Sequence, residues 1–219
     1  MSLQAVIDRA NTIKVARNKM SGQTISRSGR IKTSSVATAV PFQFTVTMAN
    51  GLRYSTNREL VEEIDRLGRI FTETVDIGNT NPGLAYITEY LGSLSSVQLG
   101  QITVDSADAL AIELDVSAVT GTSAATIMFR KGDFIQLDTG YKYPYTITSD
   151  VLRGSGSTVT VPINRPFIEQ DSYTVSDKGI LVGTDVTFTV IMTQKPDYRI
   201  VPHDLLEFTG NFELVEVIE

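Results

Sequence analysis

The stretch Pro41-Phe42-Gln43-Phe44-Thr45-Val46-Thr47-Met48 decides the fold class of this chain. Phe42, Phe44, Val46 and Met48 fall on one side of an extended strand, and Gln43, Thr45 and Thr47 on the other. That is the period-two alternation of a sheet with one dry face. Composition says the pattern is general: Thr, Val and Ile together supply 66 of the 219 residues, and β-branched side chains favour a pleated, half-buried surface. Working outward, strands are expected at 12–19, 70–77, 85–90, 98–104, 110–116, 127–137, 144–149, 158–164, 185–192 and 212–218. Turn signals at 78–83 (GNTNPG) and 120–123 (TGTS) separate some of them. Their spacing points to antiparallel strands rather than βαβ units.

Two helices interrupt the pattern. Ser2 followed by Leu3, Val6, Ile7 and Ala10 has helical spacing. Thr56-Asn57-Arg58-Glu59 reads as a capping box ahead of the stripe Leu60, Val61, Ile64 and Leu67, with Gly68 as C-cap. An internal echo accompanies the strands: Phe44-Thr45-Val46-Thr47-Met48 precedes Tyr54, and Phe188-Thr189-Val190-Ile191-Met192 precedes Tyr198 at the same interval. A duplicated strand–loop unit and chance reuse of an alternating pattern both produce such an echo. The expected architecture is mainly β, an antiparallel β-sandwich or β-barrel with one or two short helices and an extended N-terminal arm. Residues 1–40 form a basic helix and arm. Residues 41–219 form a β-rich body, read as a single domain open to an inserted β subdomain near 79–125.

The net charge of −6 is unevenly spread. Residues 1–53 carry +7, with Asp8 their only acid, and residues 54–219 carry −13. A basic segment on an acidic body suits nucleic acid, or the acidic body of another copy. Within 21–35 (SGQTISRSGRIKTSS) the basic residues are interleaved with Ser and Gly, so base stacking has no platform, and docking between copies is favoured. The stretch lacks the apolar content to pack alone and reads as a loop or extended arm. Arg27, Arg30 and Lys32 are its candidate assembly contacts.

Chemistry finds little foothold. Cysteine is absent and His203 is the one histidine, which removes disulfides, thiolate metal sites, cysteine nucleophiles and multi-histidine sites. Asp138-Thr139-Gly140 matches the tripeptide of aspartic proteases, whose dyad needs two carboxylates sharing a proton. No second copy of it exists in the chain, so the dyad would require a symmetric dimer, and a hairpin turn explains the tripeptide without chemistry. His203 lies between Pro202 and Asp204 in a turn, with no G-x-S-x-G elbow to partner it. Asp105/Asp108 and Glu113/Asp115 lack the calcium-loop pattern and read as solvated strand faces. Arg153-Gly154-Ser155-Gly156-Ser157 is a turn and not a dinucleotide fingerprint, because no helix follows it. No phosphate-cradling G-x-x-x-x-G-K-[ST] is present. No catalytic, cofactor-binding or metal-ligating residue is therefore expected. No membrane span or signal peptide is expected either, since no apolar run is long enough.

Three stretches carry a resemblance. Residues 2–35 followed by PFQFTVTM resemble the start of small structural proteins from the tail gene clusters of long-tailed bacteriophages. In the middle, Gly132-Asp133-Phe134-Ile135-Gln136 opens a strand, Tyr145 to Thr148 returns, and Asn164-Arg165-Pro166 closes the unit. That order is similar to a common tail-protein pattern. The ending, KPDYRIVPHDLLEFTGNFELVEVIE, completes it with P-x-Y-x-hydrophobic-x-P and a closing F-x-L-x-E strand. The resemblance implies a tail-tube-like β-barrel or β-sandwich that forms rings, with arms lapping over neighbours.

The expected function is thus a non-enzymatic virion structural protein of a phage tail or baseplate, made in the bacterial cytoplasm. It would work by self-association into a ring and by contact with other tail proteins, without cofactor, membrane or sequence-specific nucleic acid. Its acidic body would suit a passive DNA conduit. The alternatives are a head-to-tail neck protein and a dimeric aspartic protease at Asp138. On the assembly reading, removing residues 1–35 is expected to leave a folded body that no longer assembles.

Overall fold

The computed structural model describes residues 3–17, 21–25, 31–35, 40–66, 71–108, 111–138, 143–168 and 178–218, and backbone alone for 21–25, 31–35, 63 and 66. The N-terminal part runs α1 (Leu3–Asp8), β1 (Ala10–Ala16), β2 (Ser21–Ile25), β3 (Ile31–Ser35), β4 (Gln43–Met48), β5 (Leu52–Arg53), α2 (Tyr54–Arg66) and β6 (Thr72–Asp76). Then come α3 (Ser96–Leu99), β7 (Thr103–Ser106), β8 (Glu113–Ser117), β9 (Ile127–Phe129), β10 (Phe134–Leu137) and β11 (Pro144–Thr146). The chain finishes with β12 (Val151–Leu152), β13 (Thr158–Pro162), β14 (Lys178–Val182), β15 (Thr187–Gln194), β16 (Asp197–Val201), β17 (Leu205–Thr209) and β18 (Phe212–Glu216). The fold is mainly β, and every described strand pairing is antiparallel.

The first sheet has the order β1-β4-β18-β15-β6. The alternation in 41–48 is realised in β4: Phe44, Val46 and Met48 are buried while Gln43, Thr45 and Thr47 are only partly so. The dry face is covered by Leu3, Ala5, Val6 and Ile7 of α1 and by Leu60 and Ile64 of α2, which belong to the same buried cluster. Phe42, Phe44, Phe134 and Phe188 form its centre; the Phe44 and Phe188 rings meet edge-on at 5.0 Å. The outer face is laced by hydroxyls, with Thr45 donating to Glu213 Oε2 at 3.0 Å and Thr74 facing Thr189, cross-strand pairs that stabilise a wet sheet surface. The two echo strands lie in this sheet as β4 and β15, on either side of β18. The strands after them, β5 and β16, in turn flank β17.

Between β6 and β15 the chain builds a second core. A six-stranded sheet, β11-β10-β14-β7-β8-β13, and the β9–β12 pair curve around it. Its buried residues run from Leu94 to Val182, with Phe129, Tyr145 and Phe167 among the largest. Two glutamines finish strand edges with their side-chain amides. Gln4 donates to Asp76 O at 2.8 Å and accepts from Asp76 N at 2.7 Å. Gln136, fully buried, does the same to Thr187 O and N at 2.8 and 3.1 Å. Each amide stands in for one rung of a missing neighbour strand.

Several local expectations are corrected. Residues 85–90 form a 3₁₀ turn (Ala85–Ile87) rather than a strand. This segment rests against Gly183, where an added Cβ would come within 3.1 Å of Tyr90 N, a close approach that follows the turn. The long strand expected at 127–137 is split by a turn at 130–133, with Gly132 at φ +100° and the buried Asp133 accepting from Arg130 N and Leu91 N. Residues 98–104 divide between α3 and β7, and the box-type cap sits at Ser95/Gln98. Residues 21–35 are not merely a loop: β2 and β3 pair from Ser21↔Ser35 to Ile25↔Ile31. Finally, α1 and β1 are built into the body. Removing residues 1–35 would strip Val6, Ile7 and the partner strand of β4, so a folded remnant is not expected.

The α2 terminus also differs. The helix begins at Tyr54, two residues before the expected cap, and Thr56 Oγ1 donates to Arg53 O at 3.1 Å. Its cap comes from the β16–β17 turn: Ser55 N and the Ser55 hydroxyl both donate to the Asp204 carboxylate, at 2.8 and 2.5 Å. His203 and Asp204 hold φ of 71° and 66°, a region that Asn, Asp and His tolerate best among non-glycine residues. Hydrogen bonds from the Ser55 hydroxyl and N–H hold the Asp204 carboxyl below its ordinary pKa. The stability it adds is therefore present above the unfolded carboxylate pKa and is lost as pH falls through the depressed one. Asp204→Asn is expected to lower the melting temperature at pH 7, with the gap to the unmodified chain closing as pH falls toward 3, about the acid end of carboxylate titration. Circular dichroism melts across that range check it, and a pH-independent gap would contradict the cap.

Candidate functional site

The stem of the basic arm is where the most unusual chemistry of the chain collects. The arm is nested in the β1–β4 pair: β1 ends opposite the start of β4 at Ala16↔Gln43, and the β2–β3 hairpin lies between them in sequence. β2 and β3 pair with each other and with no other described strand. Five residues of antiparallel strand extend about 17 Å. Of the expected contacts, Lys32 lies in β3 opposite Thr24, while Arg27 and Arg30 lie outside the described residues.

The returning root of the arm is tied to a buried ion pair. Arg165, just beyond β13, faces Glu216 of β18, with side chains 2% and 0% exposed. The guanidinium donates to both carboxylate oxygens, Nη1 to Oε2 and Nη2 to Oε1, each at 2.6 Å. The same two nitrogens reach Val40 O at 3.2 Å and Pro144 O at 2.8 Å. Glu216 Oε2 also accepts from Phe42 N at 2.9 Å, and Glu216 N donates to Phe42 O. The Arg165 guanidinium carbon lies 5.1 Å from the Phe42 ring centre and 5.3 Å from that of Tyr145. At the other root Arg17, partly in solvent, donates to Thr146 Oγ1 at 2.5 Å and lies 5.7 Å from the Phe42 ring. Partial burial, then the like charge of Arg165, lowers the Arg17 pKa from its ordinary value. The arm thus leaves the body beside one cation and returns beside another.

This junction unites the stretches that carry the resemblance. Asp133 closes its turn, Phe134 enters the first core, Ile135 the second, and Gln136 pairs with Thr187. Asn164 accepts from Thr146 N at 2.7 Å, and Arg165 meets the final Glu of F-x-L-x-E. The arrangement is mechanical: both carboxylate oxygens and both terminal guanidinium nitrogens are spent on one another and on nearby backbone groups, while Arg165 Nε is buried without a hydrogen-bond partner. Arg165 and Glu216 were not singled out as site residues by sequence. The available signal was parity, because Arg165 continues the inward series Val161, Ile163 and Phe167, and Glu216 continues Phe212 and Leu214.

The remaining candidates are scattered. Asp138 is exposed where β10 ends, its N–H bonded to Gly179 O; β10 pairs with β11, and Thr139 and Gly140 lie outside the described residues. His203 is exposed in the β16–β17 turn. Arg153 folds onto its own turn, donating to Val119 O, Gly154 O and Gly156 O. Asp105, Glu113 and Asp115 lie on β7 and β8, with Asp108 just after β7. Among the described residues no group of His, Asp and Glu is arranged to hold a metal, and no helix is long and apolar enough to cross a membrane. No protein-family model and no curated protein sequence matches the chain.

Leaving one charge of a buried pair alone costs about 3–5 kcal/mol, whereas apolar replacement of both is often near neutral. Arg165→Met is therefore expected to destabilise the protein by about 3–5 kcal/mol, and Arg165→Met with Glu216→Leu to recover most of the loss. Urea unfolding of the single and double variants measures it.

Proposed function

We propose that the chain is a structural protein of a bacteriophage tail or baseplate that works by assembly, its basic hairpin arm lapping onto a neighbouring copy. The observation that supports this reading best is the arm itself. It is a two-stranded, Ser/Thr-rich, basic hairpin whose outer edges pair with no described strand. An unpaired edge is a template for another chain, and the body it would meet is acidic. Contacts at Arg17, Val40 and Phe42 anchor both ends of the arm to the body, and a ring subunit requires two matching surfaces. The resemblance noted in the sequence supplies the phage context, with a ring as the assembled form, no catalytic step and other tail proteins as partners.

Replacing residues 18–39 with a short Gly/Ser linker, which keeps α1, β1 and both roots, is expected to leave a folded chain that stays monomeric. Light scattering after size exclusion, with a circular dichroism melt as the folding control, reads both properties. Unchanged assembly without the arm would overturn the reading. Antibody labelling of intact virions tests the location: label at the distal tail supports a baseplate position, and label at the head–tail junction moves the same mechanism to the neck. A denatured-virion blot without the chain would remove it from the particle.

A further inference from the structure

Charge on this chain is distributed more sharply than its halves suggest. Between Arg69 and Arg130 there is no Lys or Arg, yet seven Asp and Glu occur. Three of them, Asp105, Glu113 and Asp115, come together on the outer face of β7, β8 and β13. The register places Asp115 opposite Thr160 and beside Ser106, with Glu113 opposite Pro162 and Ser117 opposite Thr158. Val104, Leu114, Val116, Val159 and Val161 point the other way into the second core.

Hydroxyls, not cations, hold Asp105 and Asp115. Thr160 donates to Asp115 Oδ1 at 2.7 Å, Ser106 to Asp115 Oδ2 at 3.2 Å and Thr158 to Asp105 Oδ2 at 2.7 Å. The ion pairs formed among the described residues involve Asp65, Asp150, Glu207 and Glu216 instead. A face of Thr, Ser and like-charged carboxylates has short side chains, is open to solvent and repels itself. It gains from a cationic partner that can lie flat across the strands.

We propose that this face is the docking surface for the basic hairpin arm of a second copy of the chain. The inference rests on the assembly reading above and names where the arm goes. The arm offers Arg27, Arg30 and Lys32 among Ser, Thr and Gly, small residues that let a hairpin approach a sheet face closely. Three cations meet three carboxylates, the complementarity that fixes partner and register between charged surfaces.

The test is a charge exchange read by analytical ultracentrifugation at low and at high salt. Face reversal (Asp105→Lys, Glu113→Lys, Asp115→Lys) and arm reversal (Arg27→Glu, Arg30→Glu, Lys32→Glu) are each expected to weaken self-association by at least about 100-fold, as close like-charge contacts do. An equimolar mixture of the two variants is expected to associate, because reversed arms then meet reversed faces on another chain. The neutral set Asp105→Asn, Glu113→Gln, Asp115→Asn, expected to weaken association and flatten its salt dependence, serves if the reversed face does not fold. If arm reversal abolishes association while both face variants associate like the unmodified chain, the docking surface is wrong and the assembly reading stands. If the reversed mixture stays apart, docking between copies through this face is overturned. An unmodified chain that is monomeric at every salt level, or an arm reversal without effect, overturns both.

Discussion

The pairing of Arg165 with Glu216 is the constraint on which the rest of the structure turns. Burying a carboxylate and a guanidinium is costly, and the attraction between them repays it only when geometry and further hydrogen bonds are satisfied. Here both oxygens of Glu216 and both terminal nitrogens of Arg165 are bonded, and two aromatic rings flank the cation. The pair therefore acts as a specification. A one-residue slip of β18 would swing Glu216 to the other face of the sheet and leave Arg165 buried and unpaired. Through Phe42 and Val40 the same pair fixes where β4 begins, and through Pro144 where β11 begins, so the two cores and the arm share one reference point.

Against that rigid centre the treatment of strand edges is divided. Gln4 satisfies the outer edge of the first sheet at Asp76, and Gln136 bridges the second core to the start of β15. A side-chain amide is a frugal way to close an edge, because it offers one donor and one acceptor at the spacing of a peptide group. The hairpin arm receives no such protein partner from the described residues.

Much of the architecture was legible because parity is a local property. The alternation of 41–48 named the dry face of β4 residue by residue, and the stripe Leu60, Val61 and Ile64 named the buried side of α2. What failed locally was decided by distant chain. The α2 cap is Asp204, supplied by a turn 149 residues away, and no inspection of Thr56 to Glu59 reveals it. The alternation at 85–90 was real in sequence, yet the segment takes a 3₁₀ turn and packs against Gly183. The arm illustrates a different limit: SGQTISRSGRIKTSS has too little apolar surface to advertise a strand, yet β2 and β3 pair with each other. The junction was half visible, since Arg165 and Glu216 each occupy an inward position among apolar neighbours, but their pairing is tertiary.

The position of β18 has a consequence for how the molecule comes into being. It is the middle strand of the first sheet, yet it is synthesised after both strands that flank it, with 168 residues separating Thr45 from its partner Glu213. The second core, drawn from residues 94–182, has all of its strands before β15 has been made. The first core cannot close in that way. Until β18 arrives, β4 and β15 face each other across a gap, Arg165 has no carboxylate and the base of the arm has nothing to brace it. Non-local strand pairing of this kind is slow, and here it means that the foundation of the arm is complete only once β18 has joined β4 and β15.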